Sequence, residues 1–263
     1  MAPLGARRVR GVLIDLSGTL HIDDEVIPGA IAALDRLLSA PDIGVRFVTN
    51  TTKKSRSDLI AELHAIGLTN IAPEHVLTSG SIARSLLKQQ SLRPMLLVDP
   101  SLEKEFEGMD CENPNAVVVG LAPTHFHYDR LNEAFRVLQN GGKLIALHEA
   151  RYFAVKDGLN LGPGAFVRGL EYAAGVEATV IGKPAPSFFH QALADMHVDA
   201  SDAIMVGDDV RQDVGGANAI GMQSVLVKTG KYRDGDEHTT GCDPSFLAKD
   251  FADAVEWMLR SRG

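Results

Sequence analysis

The sequence alternates short apolar segments with amphipathic ones, and this alternation limits the fold more than any other feature. The apolar segments include residues 9–14, 45–48 and 203–206, whose content of Val, Ile and Leu is typical of buried strands. Residues 28–40 and 55–66 carry apolar side chains at helical spacing between or after them. Strands that alternate with helices predict a parallel sheet with right-handed crossovers. The sequence therefore predicts an α/β fold.

The length and the order of the segments predict two domains. A chain of 263 residues is long for one domain and comfortable for two. Between residues 79 and 178 the strands and helices form a set of their own, with turns at Pro94 and at Gly141-Gly142. We expect a smaller α/β domain at 79–178, inserted into a core made of residues 1–78 and 179–263. In this division a short strand at 178–181 reopens the core and leads to Lys183.

Composition limits which cellular compartment and which kinds of binding partner are expected for this chain. A net charge of −8 argues against a general surface for nucleic acid or for anionic membranes. The two cysteines lie far apart in the sequence and lack a metal-type spacing, which suits a reducing compartment. No apolar run approaches the roughly 20 residues that span a bilayer. We expect a soluble cytoplasmic protein, with a short mitochondrial presequence in the arginine-containing residues 1–10 as the alternative.

Polar side chains follow four predicted strands of the core, at the point where each strand ends. Taken singly, these features are weak evidence of function, since a Thr-Asn pair after a strand is most often a turn and a Lys before Pro is usually a solvated loop residue. In a parallel sheet the carboxyl ends of the strands share one edge, so residues almost 200 positions apart can meet there. The four groups are Asp15 with Ser17, Thr49 with Asn50, Lys183, and Asp208-Asp209 with Asp213.

These residue types suit phosphoryl transfer. Asp15 and Asp208 offer the hard oxygen ligands that Mg²⁺ prefers, and a divalent cation between them relieves their mutual repulsion. Thr49 and Asn50 can donate hydrogen bonds to phosphate oxygens. Lys183 supplies a compact positive charge to the transition state. Asp15 can then act as a nucleophile that forms an aspartyl phosphate, which water hydrolyses.

Four short motifs of the chain resemble the four signatures of the haloacid dehalogenase superfamily. The place of the inserted domain, between the second and third motifs, resembles the subclass with an α/β cap that is related to nitrophenyl phosphatases. The resemblance implies a Rossmann-like core, a Mg²⁺-dependent phosphatase, a small phosphorylated substrate and pairing of two subunits through the cap. The motifs are Asp15-Leu16-Ser17-Gly18-Thr19, Thr49-Asn50, Gly182-Lys183-Pro184 and Gly207-Asp208-Asp209 with Asp213.

The resemblance also implies roles for individual residues. Asp15 would be the nucleophile and a metal ligand, with Lys183 as the second catalytic residue. Ser17, through its backbone carbonyl, and Asp208 would complete the metal ligands. Contacts to the substrate would come from Asp15, Leu16, Ser17, Thr49, Asn50 and Lys183. For Asp209 and Asp213 we favour a role in fixing the loop over direct ligation.

Ser17 departs from the superfamily pattern. Most phosphatases of the superfamily carry an Asp at this position, two residues after the nucleophile, as general acid and base. A serine hydroxyl does not deliver a proton near neutral pH, and such help is typically worth about 10²–10⁴-fold. We therefore expect slow hydrolysis of alkyl phosphates, with diphosphates, aryl phosphates and phosphoramidates less affected. The alternative is a phosphate-binding regulatory or scaffolding protein with weak turnover.

Overall fold

The computed structural model describes residues 9–155, 158–238 and 242–260. Its strands are β1 (Gly11–Ile14), β2 (His21–Ile22), β3 (Glu25–Val26), β4 (Gly44–Thr49), β5 (Val76–Thr78), β6 (Pro94–Leu97), β7 (Ala116–Val119), β8 (Lys143–Ala146), β9 (Tyr152–Val155), β10 (Gly158–Leu161), β11 (Thr179–Val180), β12 (Ala203–Gly207), β13 (Gln223–Val227) and β14 (Phe246–Ala248).

The helices connect these strands along the chain. They are α1 (Ala30–Leu38), α2 (Arg56–Ala65), α3 (Ser79–Gln89), α4 (Pro100–Glu103), α5 (Tyr128–Gln139), α6 (Gly164–Ala174), α7 (Pro186–Ala194), α8 (Gly216–Ala219) and α9 (Phe251–Arg260). A π-helical turn at Val210–Gly215 directly precedes α8.

The chain divides into two compact units. The first contains residues 1–49, 60–77 and 183–263, and the second contains residues 50–59 and 78–182. The domain boundaries predicted from the sequence stay a prediction. Along the chain, the two units meet between residues 77 and 78 and between residues 182 and 183, whereas the sequence placed these boundaries after 78 and after 178. Residues 50–59 belong to the second unit.

The first unit is built on a six-stranded sheet in the order β14-β13-β12-β1-β4-β5. From β14 to β4 every neighbouring pair is parallel. All residues of β1 and β12 are buried, which explains their unbroken apolar sequences, since central parallel strands are covered on both faces. Helices α1 and α9 pack together, and Arg36 of α1 pairs with Glu256 of α9 at 2.9 Å.

The second unit contains a parallel four-stranded sheet in the order β11-β8-β7-β6. Successive residues of β7 point to opposite faces of this sheet. Val118 packs with Leu102 and Phe106 on one face, and Val117 packs with Val167 and Leu170 of α6 on the other. These sheets confirm the predicted α/β fold with a second, smaller α/β unit.

One strand lies in a different sheet from the one predicted. The strand before Lys183 was expected to reopen the core sheet, but β11 pairs with β8 of the second unit, Thr179 facing Ile145 and Val180 facing Ala146. That prediction is wrong because the chain returns to the first unit only after β11, at Lys183. A two-residue strand carries too short a pattern to show which sheet it joins.

Two antiparallel strand pairs, β2-β3 and β9-β10, were not predicted either. Within the described ranges, no helix combines the length and the apolar character that crossing a membrane requires.

Candidate active site

Three parallel strands of the first unit bring polar residues to one edge of its sheet. Strand β1 lies between β4 and β12 and pairs in parallel with both. Asp15 comes directly after β1, Thr49 ends β4, and Asp208 follows β12. Because the three strands run in the same direction, these residues share the carboxyl edge, as the sequence predicted.

Lys183 places a buried ammonium group at this edge. Its side chain is 2% exposed, and Nζ donates to Asp15 Oδ1 at 2.5 Å, to Asp213 Oδ1 at 2.7 Å and to the carbonyl of Val48 at 3.2 Å. Three acceptors thus match the three protons of the ammonium. Burial acts to lower the pKa of Lys183, but the charges of Asp15 and Asp213 outweigh it and hold this pKa above its ordinary value. Lys183 is therefore a fixed positive charge.

The π-helical turn holds Asp213 against Lys183. Asp209 caps this turn, since its Oδ1 accepts hydrogen bonds from the amides of Arg211 and Gln212, both at 3.0 Å. The amide of Asp209 donates to Asp213 Oδ2 at 3.1 Å, which leaves Oδ1 for the ammonium of Lys183. Asp213 is thus a fully buried partner that orients the lysine.

The loop after β13 holds Asp208. The amide of Lys231 donates to Asp208 Oδ2 at 2.7 Å, and the hydroxyl of Thr229 donates to the carbonyl of Gly18. Gly18 and Gly230 have φ values of 88° and 56°, and a Cβ on either would overlap Asp208 Oδ2. Only glycine allows both backbone segments to approach this carboxylate so closely.

The second oxygen of Asp208 fits a metal ligand. Oδ1 of Asp208 is buried and has no hydrogen-bond partner among the described residues. Asp15, Asp208 and Asp213 each offer a carboxylate oxygen, and these oxygens lie within 4.8 Å of one another. Three carboxylates face one ammonium here, which leaves an excess of negative charge that a divalent cation such as Mg²⁺ would neutralise.

The pKa values of two of these carboxyl groups are raised, first by burial and then by the neighbouring carboxylates. Burial raises the pKa of Asp208 to about 6, and the charge of Asp15 acts in the same direction. Burial also raises the pKa of Asp213 to about 7, against the opposing effect of Lys183 and with support from Asp15 and Asp208. A proton or a metal ion can therefore satisfy these carboxylates.

The remaining predicted residues lie in different surroundings. Leu16 and Thr49 are buried, whereas Ser17 is exposed. Asn50 belongs to the second unit, where its Oδ1 lies 2.5 Å from the position that a Cβ on Gly182 would occupy. The expectation that Asn50 lies beside Asp15 stays a prediction.

Sequence reasoning gave no role to the loop at Thr229-Gly230-Lys231. The available signal was a Thr-Gly pair one residue after an apolar strand, at the carboxyl end of another parallel strand. Lys231 contacts Asp208 through its backbone amide, which the residue type does not reveal, and its ammonium pairs with Asp209 at 3.2 Å.

Comparisons with known proteins agree with the motifs. A family model described as "Haloacid dehalogenase-like hydrolase" matches residues 12–112, and a second hydrolase model of the same superfamily matches residues 180–254. Human "Haloacid dehalogenase-like hydrolase domain-containing protein 2" is 51% identical over 254 residues, covering 97% of both chains. Human "Phospholysine phosphohistidine inorganic pyrophosphate phosphatase" is 40% identical over 268 residues, covering 99% of this chain and 98% of the relative.

Solved structures share the fold. A 4-nitrophenylphosphatase from Thermotoga maritima is 28% identical with a TM-score of 0.85, over 94% of this chain and 97% of the other. A glycerol phosphate phosphatase from Mycobacterium tuberculosis, in complex with magnesium, is 30% identical with a TM-score of 0.80, over 93% of this chain and 76% of the other.

Replacing Lys183 with Met should lower the free energy of unfolding by about 3–5 kcal/mol in EDTA near pH 8, because it leaves buried carboxylates unpaired. The loss should shrink towards about pH 5, where Asp208 and Asp213 are protonated. Urea unfolding measures both values. The control is Lys228→Met at an exposed position, which should cost less than about 0.5 kcal/mol. Equal stability of the two variants near pH 8 would contradict this role of Lys183.

Asp208→Asn should make the metal-free protein more stable near pH 7.5. The pKa of Asp208 is raised in the folded state. Its carboxyl group therefore contributes its full stabilisation below about pH 4, and this stabilisation is lost as the pH rises through about 6. An amide mimics the protonated form, so the gain should vanish towards about pH 4.5.

The neighbouring Asp209 provides the matched control. Burial acts to raise the pKa of Asp209, but Lys231 and the amides of Gln212 and Arg211 outweigh it and lower this pKa. Asp209→Asn should therefore destabilise the protein at pH 7.5. Urea unfolding in EDTA that showed both variants less stable than wild type would contradict the assignment of Asp208.

Proposed function

The chain belongs to the haloacid dehalogenase-like hydrolases, and on that premise we propose that it is a Mg²⁺-dependent phosphohydrolase that acts through an aspartyl phosphate on Asp15. It is an enzyme of the phosphatase type. The proposed substrates are small diphosphates, aryl phosphates or phosphoramidates. The observation that carries the proposal is the contact of Asp15 with the buried Lys183, beside the unpartnered oxygen of Asp208.

Asp15 is the proposed nucleophile. One carboxylate oxygen attacks phosphorus, the bond from phosphorus to the leaving group breaks, and the leaving group departs with the bonding electrons. Water then attacks the aspartyl phosphate, which returns the free carboxylate and releases inorganic phosphate. Lys183 holds Oδ1 of Asp15 in place, so the carboxylate cannot rotate freely before it attacks.

The proposed contacts to the phosphoryl group come from Lys183, Thr49 and Asn50. Lys183 is already charged and held by Asp213, so its field needs little rearrangement when negative charge develops. Thr49 and Asn50 would donate hydrogen bonds to phosphoryl oxygens. Leu16 and Ser17 would bind through their backbone, next to Asp15.

Asp15, Asp208 and the backbone carbonyl of Ser17 are the proposed ligands of Mg²⁺. The chemistry that bound Mg²⁺ supplies is positive charge, which offsets the repulsion between the carboxylates and the phosphate. The amide of Lys231 occupies Oδ2 of Asp208 and thereby leaves Oδ1 for the metal.

Ser17 shapes the choice of substrate. It lacks the carboxyl group that would protonate a departing alkoxide, so substrates whose leaving group departs as a stable anion or already protonated are favoured. The name of the 40% identical human relative includes phospholysine, phosphohistidine and inorganic pyrophosphate. These are phosphoramidates and a diphosphate, which support the same classes for this chain.

Ser17 also favours a second candidate, a phosphate-binding regulatory or scaffolding protein with weak turnover. A panel of phosphorylated compounds assayed with Mg²⁺ and with EDTA separates the two functions. Turnover that EDTA abolishes supports the phosphohydrolase, and ligand binding without product supports the binding protein. A cytoplasmic location, a homodimer, and the lack of nucleic-acid and membrane partners stay predictions from the sequence.

Asp15→Asn should reduce turnover of p-nitrophenyl phosphate with Mg²⁺ to background, because an amide oxygen is a poor nucleophile. Acid quenching of the wild-type protein with ³²P-labelled substrate should leave label on the protein, and the variant should carry none. Activity of Asp15→Asn within about tenfold of wild type would show that the nucleophile is another residue.

Ser17→Asp should hydrolyse p-nitrophenyl phosphate faster than wild type, and its gain on an alkyl phosphate such as glycerol phosphate should be larger, by about tenfold or more. The control is Ser17→Ala, which should show no gain because it adds no carboxyl group. A Ser17→Asp protein that binds Mg²⁺ by calorimetry and gains no rate would contradict this account of Ser17.

A further inference from the structure

The segment that follows Thr49 is held by the second unit. Asn50 starts this segment, and its Oδ1 lies against Gly182, the residue that follows β11 and Ile181. Farther along, the amide of Arg56 donates to Glu105 Oε2 at 2.8 Å, and Asp58 pairs with Lys104 at 2.8 Å. Contacts within the second unit therefore hold residues 50–59 at Asn50, Arg56 and Asp58.

His148 makes the central contact to this segment. One residue separates it from the end of β8, and its Nε2 lies 3.2 Å from Oγ1 of Thr52. Thr52 is buried, and its Cβ lies 3.6 Å from the position that a Cβ on Gly120, after β7, would occupy. Residues 50–52 thus lie along the carboxyl ends of β7, β8 and β11.

The hydrogen bonds of His148 assign its tautomer. The amide of Ala150 lies 3.3 Å from Nδ1 of His148, and an amide nitrogen has only a proton to offer. Nδ1 is therefore the acceptor, and the proton of the neutral imidazole is on Nε2, from which it is donated to Thr52 Oγ1. One ring connects the backbone after β8 with the side chain of Thr52.

We propose that His148 is a positioning residue for phosphate binding, which acts through Thr52 on Asn50, two residues away. This inference rests on the proposed contact between Asn50 and the phosphoryl group. The hydrogen bond from His148 limits the motion of the 50–52 backbone, so the amide of Asn50 is already placed when phosphate arrives. Because Asn50 would contact the phosphoryl group in the ground state and the transition state alike, its displacement should raise KM and leave kcat nearly unchanged.

The test compares two disruptive variants with two that keep the hydrogen bond. Thr52→Val and His148→Phe remove it with little change of volume. Thr52→Ser keeps the hydroxyl, and the amide nitrogen of Gln in His148→Gln can replace Nε2. Thr124→Val and His127→Phe make the same changes at exposed positions of the second unit and serve as controls.

Thr52→Val and His148→Phe should each raise KM for p-nitrophenyl phosphate and the Kd of inorganic phosphate with Mg²⁺, from calorimetry, by at least about fivefold. Their kcat should stay within about twofold of wild type, and the double variant should equal the single ones. Thr52→Ser, His148→Gln and both controls should stay within about twofold in every constant.

Asn50→Ala separates this inference from the proposed function. If Asn50→Ala weakens phosphate binding while Thr52→Val and His148→Phe do not, the positioning role is overturned and the function stands. If wild type fails to bind phosphate, or Asn50→Ala binds it normally, the proposed phosphate contact is overturned. A uniform loss of kcat in the disruptive variants would also overturn the positioning role, since it would indicate general damage.

Discussion

The geometry of the site depends on the buried ammonium of Lys183. Burying a charge costs several kcal/mol unless partners replace the lost water, and Lys183 has acceptors from three places in the chain. Each acceptor is itself fixed, Asp15 by β1, the carbonyl of Val48 by β4, and Asp213 by the π-helical turn. The lysine therefore sets the orientation of the proposed nucleophile, and a displacement of any of the three would leave a buried charge unpaired.

The same arrangement explains why a divalent cation suits this site. Lys183 compensates one of the three clustered carboxylates, and burial, together with the repulsion among the carboxylates, raises the pKa values of Asp208 and Asp213. A phosphate dianion brought to such a site would meet further repulsion. One divalent cation balances the excess, so metal binding and phosphate binding should support each other. The metal preference thus follows from the charge count and the unpartnered oxygen of Asp208.

The sequence was sufficient to predict which residues share the carboxyl edge of the sheet, but not the backbone contacts that fix their positions. Asp15, Thr49 and Asp208 could be brought together because parallel strands place their carboxyl ends side by side, whatever the loops do. The membership of β11 could not be predicted, since two residues carry no usable period. The amide of Lys231 and the close approach of Gly18 and Gly230 are backbone features, which side-chain chemistry does not encode. The missed amide of Lys231 and the missed approach of Gly18 and Gly230 therefore share a cause, namely that backbone contacts between distant segments leave little trace in the sequence.

Ser17 affects the two proposed chemical steps differently, namely transfer of the phosphoryl group to Asp15 and hydrolysis of the resulting intermediate. The groups proposed to bind and attack the phosphoryl group are present, and Ser17 offers no carboxyl proton donor. In the first step, a loss of about 10²–10⁴-fold in rate therefore falls only on substrates whose leaving group needs a proton. The chemistry of the leaving group alone can therefore discriminate between substrates by this factor, without contacts between the protein and the rest of the substrate. The second step behaves differently, because every substrate would pass through the same proposed aspartyl phosphate, whose attacking water lacks the same base. Among good leaving groups kcat should therefore converge on one value, and selection between them must come from binding.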